Sequence, residues 1–331
     1  MLRAAPPAAV DAPGRHGDRL SHTKTNENDP MSTRGSGLLA LTLISFLIGG
    51  LGTRAEAHTL RRHTAAHRAV RHRPRRVSHP YVRSREALVY DATRERVLYA
   101  KHSTGVTPIA SITKLMTTLV VAEARQPLGQ RLHITRADWT PYSHLPIGIW
   151  LTRAQLFHLA LMSSENRAAR TLCNNYPGGL RACIRAMNAK ARALGMTHTR
   201  FVEPTGLSAQ NVSTPGDLAK LVLAAAHNPV IRRYSTSSGY TVRDGRWRLP
   251  YYPTDPLVRD RWWHIVVQKT GFTDLAGQCL VLDTFIDHHD IVMVLMHSWG
   301  KYTRTADARR VKQWLEANLA RHHWQTVAER M

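Results

Sequence analysis

The spacing of apolar positions changes period twice along the chain. Two short alternating runs, over 86–90 and 96–100, are joined by Asp91-Ala92-Thr93-Arg94 and predict a β-hairpin. The period then lengthens. Thr107 offers a capping hydroxyl and Pro108 stands near a first helical position, so a helix is expected to carry Ala110-Ser111-Ile112-Thr113-Lys114 and the apolar run to Val121. Thr152-Arg153-Ala154-Gln155 is a capping box opening a helix to 162, and a second helix follows from Arg167. A third spans 180–194 and stops at Gly195, and Thr214-Pro215-Gly216-Asp217 caps a fourth, to 226. Past Ser238 the pattern returns to strands: 240–243 and 246–249 around Asp244-Gly245, then 264–268, 278–286 and 291–298, the last two joined by a polar turn over 287–290. A closing amphipathic helix over 305–319 places Ala306, Val311, Trp314 and Leu315 on one stripe. The order predicts one α/β domain over 86–331. Its antiparallel sheet joins the first and last segments, is flanked by helices, and leaves the middle as a helical subdomain.

The front of the chain reads differently. Residues 1–30 show no hydrophobic period and are expected to be disordered or the product of a mis-assigned start. From Met31 a positive Arg34, an apolar stretch over 38–51 and Ala55-Glu56-Ala57 form a signal-peptide pattern spanning 31–57, with cleavage after Ala57 and a periplasmic protein as the expected result. An uncleaved membrane anchor is the alternative. Residues 58–85 carry nine arginines, from Arg61 to Arg85, and no acidic residue, so like charges oppose compaction and a disordered tether is expected. A solvated linker is its plain reading; electrostatic contact with an anionic envelope surface is the functional one. With 331 residues and 43% hydrophobic content the chain can bury a sizeable core, and much of its net charge of +23 lies in this arm. Export argues against nucleic acid as the partner.

Ser111 and Lys114 are three apart, so on a helix the amine reaches the hydroxyl. A serine becomes a nucleophile when a base takes its proton, and a lysine is that base once burial or a nearby cation lowers its pKa. Two later stretches complete a set: Ser163-Ser164-Glu165-Asn166 after an apolar helix, and Lys269-Thr270-Gly271 at the end of the strand-like 264–268. Ser-x-x-Lys, Ser-x-Asn and Lys-Thr-Gly, in that order, are the motif set of penicillin-binding proteins and class A β-lactamases.

On these residues, and on the segments from Leu161 to Ala169, Arg200 to Ser208 and Gly300 to Thr303, the chain from about Arg85 onward resembles the low-molecular-mass penicillin-binding proteins, in particular their D-alanyl-D-alanine endopeptidase branch. Glu165 departs from the aspartate more familiar there, at a position that is not chemically essential. The resemblance implies a β-lactamase/transpeptidase-like fold and a serine D,D-peptidase (hydrolase) of peptidoglycan that binds β-lactams covalently. It further implies cleavage of D-alanyl–diaminopimelyl cross-links, with carboxypeptidase action on D-Ala-D-Ala termini as the close alternative and a β-lactamase as a more distant one. In that reading Ser111 is the nucleophile and Lys114 its base, Ser164 relays the proton to the leaving group, and Asn166 holds Lys114 and the substrate amide. Lys269 depresses the Lys114 pKa and meets a substrate carboxylate with Thr270. Gly271 admits the substrate backbone, and the N–H groups of Ser111 and Phe272 form the oxyanion hole.

The remaining candidates carry less. A catalytically dead wall-binding protein is disfavoured by three intact motifs, and no Gly-x-Ser-x-Gly elbow supports a Ser-His-Asp hydrolase. Glu203 lies roughly where a class A β-lactamase keeps its water-activating glutamate, but with Thr205-Gly206-Leu207 behind it the stretch resembles a turn of the endopeptidase branch, which implies a structural role. Cys173 and Cys183 flank a turn at a separation that permits a disulfide without requiring one, and Cys279 reads as a small buried hydrophobe. His288-His289 and His322-His323 have no partners at metal spacing and read as solvated surface, so neither metal nor cofactor is expected.

Overall fold

The computed structural model describes residues 79–319. The stretch 1–30, the expected signal peptide over 31–57, most of the basic arm and His322-His323 lie outside the described residues. Strands β1 (Glu86–Asp91) and β2 (Arg96–Lys101) form the first hairpin, and β3 (Thr107–Pro108) leads through a 3-10 turn over Ala110–Ile112 into α1 (Thr113–Glu123). A small ribbon of β4 (Arg131–His133) and β5 (Trp150–Thr152) precedes α2 (Arg153–Met162), α3 (Asn166–Asn174) and α4 (Gly179–Ala193). β6 (Val212–Ser213) pairs with β3, followed by α5 (Pro215–Ala226), α6 (Pro229–Ser235) and the hairpin of β7 (Tyr240–Asp244) and β8 (Trp247–Tyr251). Strands β9 (His264–Thr273), β10 (Gly277–Ile286) and β11 (His289–Ser298) and helix α7 (Thr303–Leu319) complete the described chain.

Five strands share one sheet in the order β2-β1-β11-β10-β9, every pair antiparallel, so the first hairpin is stitched to the last strand as expected. Both faces are covered. Ile291, Met293 and Leu295 of β11 pack with Val311, Trp314 and Leu315 of α7, while Val292, Val294 and Met296 join the core of the helical part. Double coverage is why β10 and β11 read as continuous apolar runs rather than alternating ones. Truncating a fully buried member such as Leu315 to Ala would cost about 2–5 kcal/mol. Within the helical part, α1 is buried at every position from Thr113 to Val121, the mark of a central helix. Its hydroxyls stay satisfied: Thr117 Oγ1 donates to the Pro204 carbonyl at 2.8 Å and Thr118 Oγ1 to the Lys114 carbonyl at 2.8 Å.

Several local expectations are corrected. Thr107 and Pro108 do not cap α1: they are strand, paired with Ser213 and Val212. Ala110 then adopts φ 48°, which no α-helix accommodates, so Ser111 sits in the 3-10 turn and α1 begins only at Thr113. The loop of the β7–β8 hairpin is Gly245-Arg246 rather than Asp244-Gly245, because the residue with positive φ must be Gly245 (φ 51°), and Asp244 is strand opposite Trp247. Lys269-Thr270-Gly271 lies inside β9, not at its end. On α7 the buried stripe takes Asp307 and Ala308 in place of Ala306. Asp307 is buried because the end of the basic arm docks on it: its carboxylate accepts from Arg83 N at 3.0 Å, Ser84 N at 2.7 Å and Ser84 Oγ at 2.6 Å. Val82 and Ser84 are buried with it, so the packed chain starts before Glu86.

The caps fared better. Thr152 and Gln155 form the reciprocal box, Thr214 caps α5 with Pro215 behind it, and Gly195 (φ 67°) follows the end of α4. Cys173 at the end of α3 and Cys183 in α4 are joined by a disulfide, with 5.5 Å between their Cα atoms. Cys279 is fully buried, and burial pushes its thiol up to about 11.

Candidate active site

Three elements converge on Ser111. The turn before α1 supplies the hydroxyl, α1 itself supplies Lys114, and the loop between α2 and α3 supplies Ser164, with Asn166 just behind it as the first residue of α3. Lys114 Nζ lies 2.7 Å from Ser111 Oγ, 2.7 Å from Asn166 Oδ1 and 2.6 Å from the Thr205 carbonyl oxygen. An ammonium has three N–H bonds, and all three are accepted here. The neutral amine has two N–H bonds and a lone pair. Since the Thr205 carbonyl and Asn166 Oδ1 can only accept, the lone pair is left to face Ser111. The orientation of Asn166 is fixed from its other end, where Nδ2 donates to the carbonyls of Pro141 at 3.1 Å and Tyr142 at 3.2 Å.

Lys114 is fully buried, and desolvation lowers its pKa to about 7; the negative charges of Glu203 and Glu165 oppose that shift. Near pH 7 the amine is therefore shared between its charged and neutral forms. Lys269 is also fully buried, and its pKa is held well below the ordinary lysine value, first by desolvation and then by the charge on Lys114. Of the two expected causes, burial and the charge of Lys269, burial is the one that lowers Lys114. Lys269 Nζ donates to the Thr270 carbonyl at 2.8 Å.

The strand edge is set by Gly271. A Cβ there would stand 3.0 Å from Ser111 N, 3.1 Å from Ala110 Cβ and 3.1 Å from the Ile109 carbonyl oxygen. The missing side chain therefore lets β9 approach the turn that carries Ser111, a different reason from the substrate access expected. Phe272, next along, is 55% exposed, so its ring is not core packing. The Thr270 hydroxyl is hydrogen-bonded to that of Thr254. Ser164, half-buried at the loop apex, is held at φ 60°, a sparsely populated conformation for a residue with a Cβ.

Sequence reasoning missed three contributors. The Thr205 carbonyl is a backbone group and leaves no side-chain signature. Thr254 sits in an irregular stretch. Arg304, just past the Gly300–Thr303 segment, donates from Nη1 to the carbonyl oxygens of Gly271 at 2.7 Å and Cys279 at 3.1 Å, clamping β9 to the start of α7. Asp255, fully buried, is raised to about 6 by desolvation, against the pull of Arg304 and Lys269.

Glu203 is committed to its turn. One carboxylate oxygen accepts from Thr205 N (2.7 Å) and Thr205 Oγ1 (2.6 Å), and the other from Gly206 N (2.6 Å), Asn211 Nδ2 (2.9 Å) and Ser208 N (3.4 Å). No oxygen is left to activate a water, in keeping with the structural role that the resemblance implied. Among the described residues no group of three His, Cys, Asp or Glu side chains could hold a metal ion. His289 departs from the solvated reading: its Nδ1 lies 3.0 Å from buried Asp91.

The family model described as D-alanyl-D-alanine carboxypeptidase matches residues 73–299. The chain belongs to this family. It is 46% identical over 246 residues to a D-alanyl-D-alanine endopeptidase of Escherichia coli, covering 72% of this chain and 79% of that protein. To a D-alanyl-D-alanine endopeptidase of Pseudomonas aeruginosa it is 45% identical over 239 residues, covering 70% and 77%. The fold superposes on a Streptomyces DD-transpeptidase with a TM-score of 0.68 at 24% identity, covering 73% of this chain and all of that structure. The chain carries the fold that the resemblance implied, a penicillin-binding transpeptidase-like sheet and helical part.

Proposed function

We propose that the protein is a serine D,D-peptidase that opens D-alanyl–diaminopimelyl cross-links of peptidoglycan through an acyl-enzyme on Ser111. The observation that carries this reading is the three-point hold on Lys114 Nζ, which leaves its lone pair one direction to face. Neutral Lys114 takes the proton of Ser111 as the oxygen attacks the D-alanyl carbonyl. Ser164 relays that proton to the departing amine, and Asn166 keeps Lys114 aligned while meeting the substrate amide. The N–H groups of Ser111 and Phe272 receive the oxyanion, and a carboxylate of the substrate meets Thr270 and the field of Lys269. Water then releases the acyl group and restores the serine.

Support for the cross-link over the chain terminus comes from the two endopeptidase relatives above, each more than two thirds covered. The family's own description favours the carboxypeptidase alternative. The proposed setting is the periplasm, reached with the 31–57 signal removed after Ala57, and the basic arm would then lie against an anionic envelope surface. No described helix is long and apolar enough to cross a membrane.

The test uses purified muropeptides and a labelled penicillin. Wild-type protein is expected to convert cross-linked dimers to monomers and to take up one label, and Ser111→Ala to do neither. Release of free D-alanine with dimers left intact would overturn the cross-link reading. Rapid penicillin turnover without a lasting adduct would favour a β-lactamase.

A further inference from the structure

A cavity of about 520 Å³, lined by none of the residues around Ser111, lies between the β4–β5 ribbon, the turn at 136–138 and the C-terminal half of α3. Arg170 lines it. The Nε of that side chain is buried without a hydrogen-bond partner, and no carboxylate pairs with its guanidinium among the described residues. A buried, unmatched donor on a cation calls for an explanation. Asp138 lines the same cavity but is already committed, accepting from Thr135 N at 2.7 Å, Thr135 Oγ1 at 2.9 Å and Asn174 Nδ2 at 2.6 Å. Arg131, at the rim, is paired with Asp244 at 3.3 Å. Opposite these groups the rings of His133 and Trp150 stack with centroids 4.7 Å apart, leaving Trp150 46% exposed as a flat apolar wall.

The cavity is joined to the candidate active site by α3. Arg170 follows Asn166 by four residues, which places it about 6 Å farther along the same side of the helix. The chain over 137–142 runs beside that side in the opposite direction: Asn174 Nδ2 holds the Ala137 carbonyl, and Asn166 Nδ2 holds those of Pro141 and Tyr142. On this bridge Trp139 is 63% and Tyr142 85% exposed. An extended substrate arm leaving Ser164 and Asn166 thus meets two exposed rings and then an unpaired guanidinium.

We infer that this cavity binds a carboxylate of the second, leaving stem peptide of a cross-linked substrate, with Arg170 as its partner and the His133–Trp150 stack against the arm's apolar part. The inference rests on the proposed cross-link cleavage. It assigns the arm to the leaving strand because Ser164, which hands that strand's amine its proton, immediately precedes α3. A substrate whose leaving group is free D-alanine has nothing to place there.

The test compares wild type, Arg170→Gln and Arg170→Lys on cross-linked muropeptide dimers, on the same dimers with their carboxylates amidated, and on a labelled penicillin. With Arg170→Gln the KM for dimers should rise about tenfold, the loss expected for one charge-assisted contact, with kcat nearly unchanged. Arg170→Lys should recover part of it. Penicillin acylation, which needs no second arm, should stay as in wild type, and amidated dimers should erase the difference between wild type and variant. An unchanged KM for dimers, or an equal fall in penicillin acylation, would overturn the subsite while leaving cross-link cleavage standing. Wild-type protein that left dimers intact would overturn cross-link cleavage, and the subsite with it.

Discussion

A Cβ on Gly206 would stand 1.8 Å from the carbonyl oxygen of Ala110. The turn held by Glu203 thus presses its backbone directly onto the turn that presents Ser111. Gly206 also has φ 85°, so both space and conformation exclude a side chain. Gly206→Ala should separate the two turns, moving the Thr205 carbonyl away from Lys114. Its expected outcome is a penicillin acylation rate lowered by more than about tenfold, together with a stability loss of about 1–3 kcal/mol in denaturant melts. Full acylation in Gly206→Ala would contradict the contact.

Acylation should follow the neutral fraction of Lys114. Burial depresses this amine to about 7, so protonation removes the base as pH falls. The rate constant for penicillin acylation is expected to drop about tenfold per pH unit below that value and to level off above it, as for a single essential base. A stopped-flow or gel-based pH series between 5 and 9 measures it. A plateau extending unchanged down to pH 5 would mean that Lys114 is not the proton acceptor.

Asn166 tests the same proton from its other side. Asn166→Asp keeps the size of the side chain and places a carboxylate oxygen where Oδ1 now lies 2.7 Å from Lys114 Nζ, while giving up the two bonds that Nδ2 donates to the Pro141 and Tyr142 carbonyls. A negative charge at that distance favours the ammonium, so the lysine pKa moves up. The acylation limb should shift to higher pH by at least one unit, and the rate at pH 7 should fall accordingly. Asn166→Ala leaves one N–H of Lys114 without an acceptor and lowers the rate without an upward shift of the limb.

The Cys173–Cys183 disulfide ties the end of α3, which carries Asn166 at its start, to α4. Closing a loop of this length restricts the unfolded chain by about 2–3 kcal/mol. Replacing both cysteines by serine should lower the melting temperature by several degrees, and reducing agent should do so only for the wild type. An equal response of both proteins to reductant would show that the bond is not formed in solution.

How much of this was legible beforehand follows from what each residue has to do. Thr152, Thr214 and Gly195 act locally, on backbone groups within a few positions, so their type and spacing announce them. Ser111, Lys114, Asn166 and Lys269 belong to motifs whose order survives any loop length. Thr107-Pro108 has good capping chemistry, and only its distant partners Val212 and Ser213 make it a strand rather than the start of α1. Helix α6 has a readable start, Asn228 before Pro229, but over seven residues no apolar period can establish itself. Asp307 looked like an exposed helix position until Ser84 folded onto it. The Thr205 carbonyl and the role of Gly271 against Ser111 are backbone relationships, and the identity of a side chain does not encode them.

Glu203 offers the sharpest discrimination between peptidase and β-lactamase chemistry. If it activated the deacylating water, Glu203→Gln would acylate normally and then stall. Its geometry predicts the opposite order of loss. A glutamine offers one accepting oxygen and one donating nitrogen, yet Thr205 N and Gly206 N approach different carboxylate oxygens, at 2.7 Å and 2.6 Å. Whichever way the amide turns, one of these donors faces another donor, and a buried unmatched pair of this kind costs about 1–3 kcal/mol. The turn should loosen, the Thr205 carbonyl should leave Lys114, and acylation by labelled penicillin should slow by about tenfold or more, with the release of the adduct little altered. Normal acylation followed by a trapped adduct, against prompt release in the wild type, would return Glu203 to the chemistry.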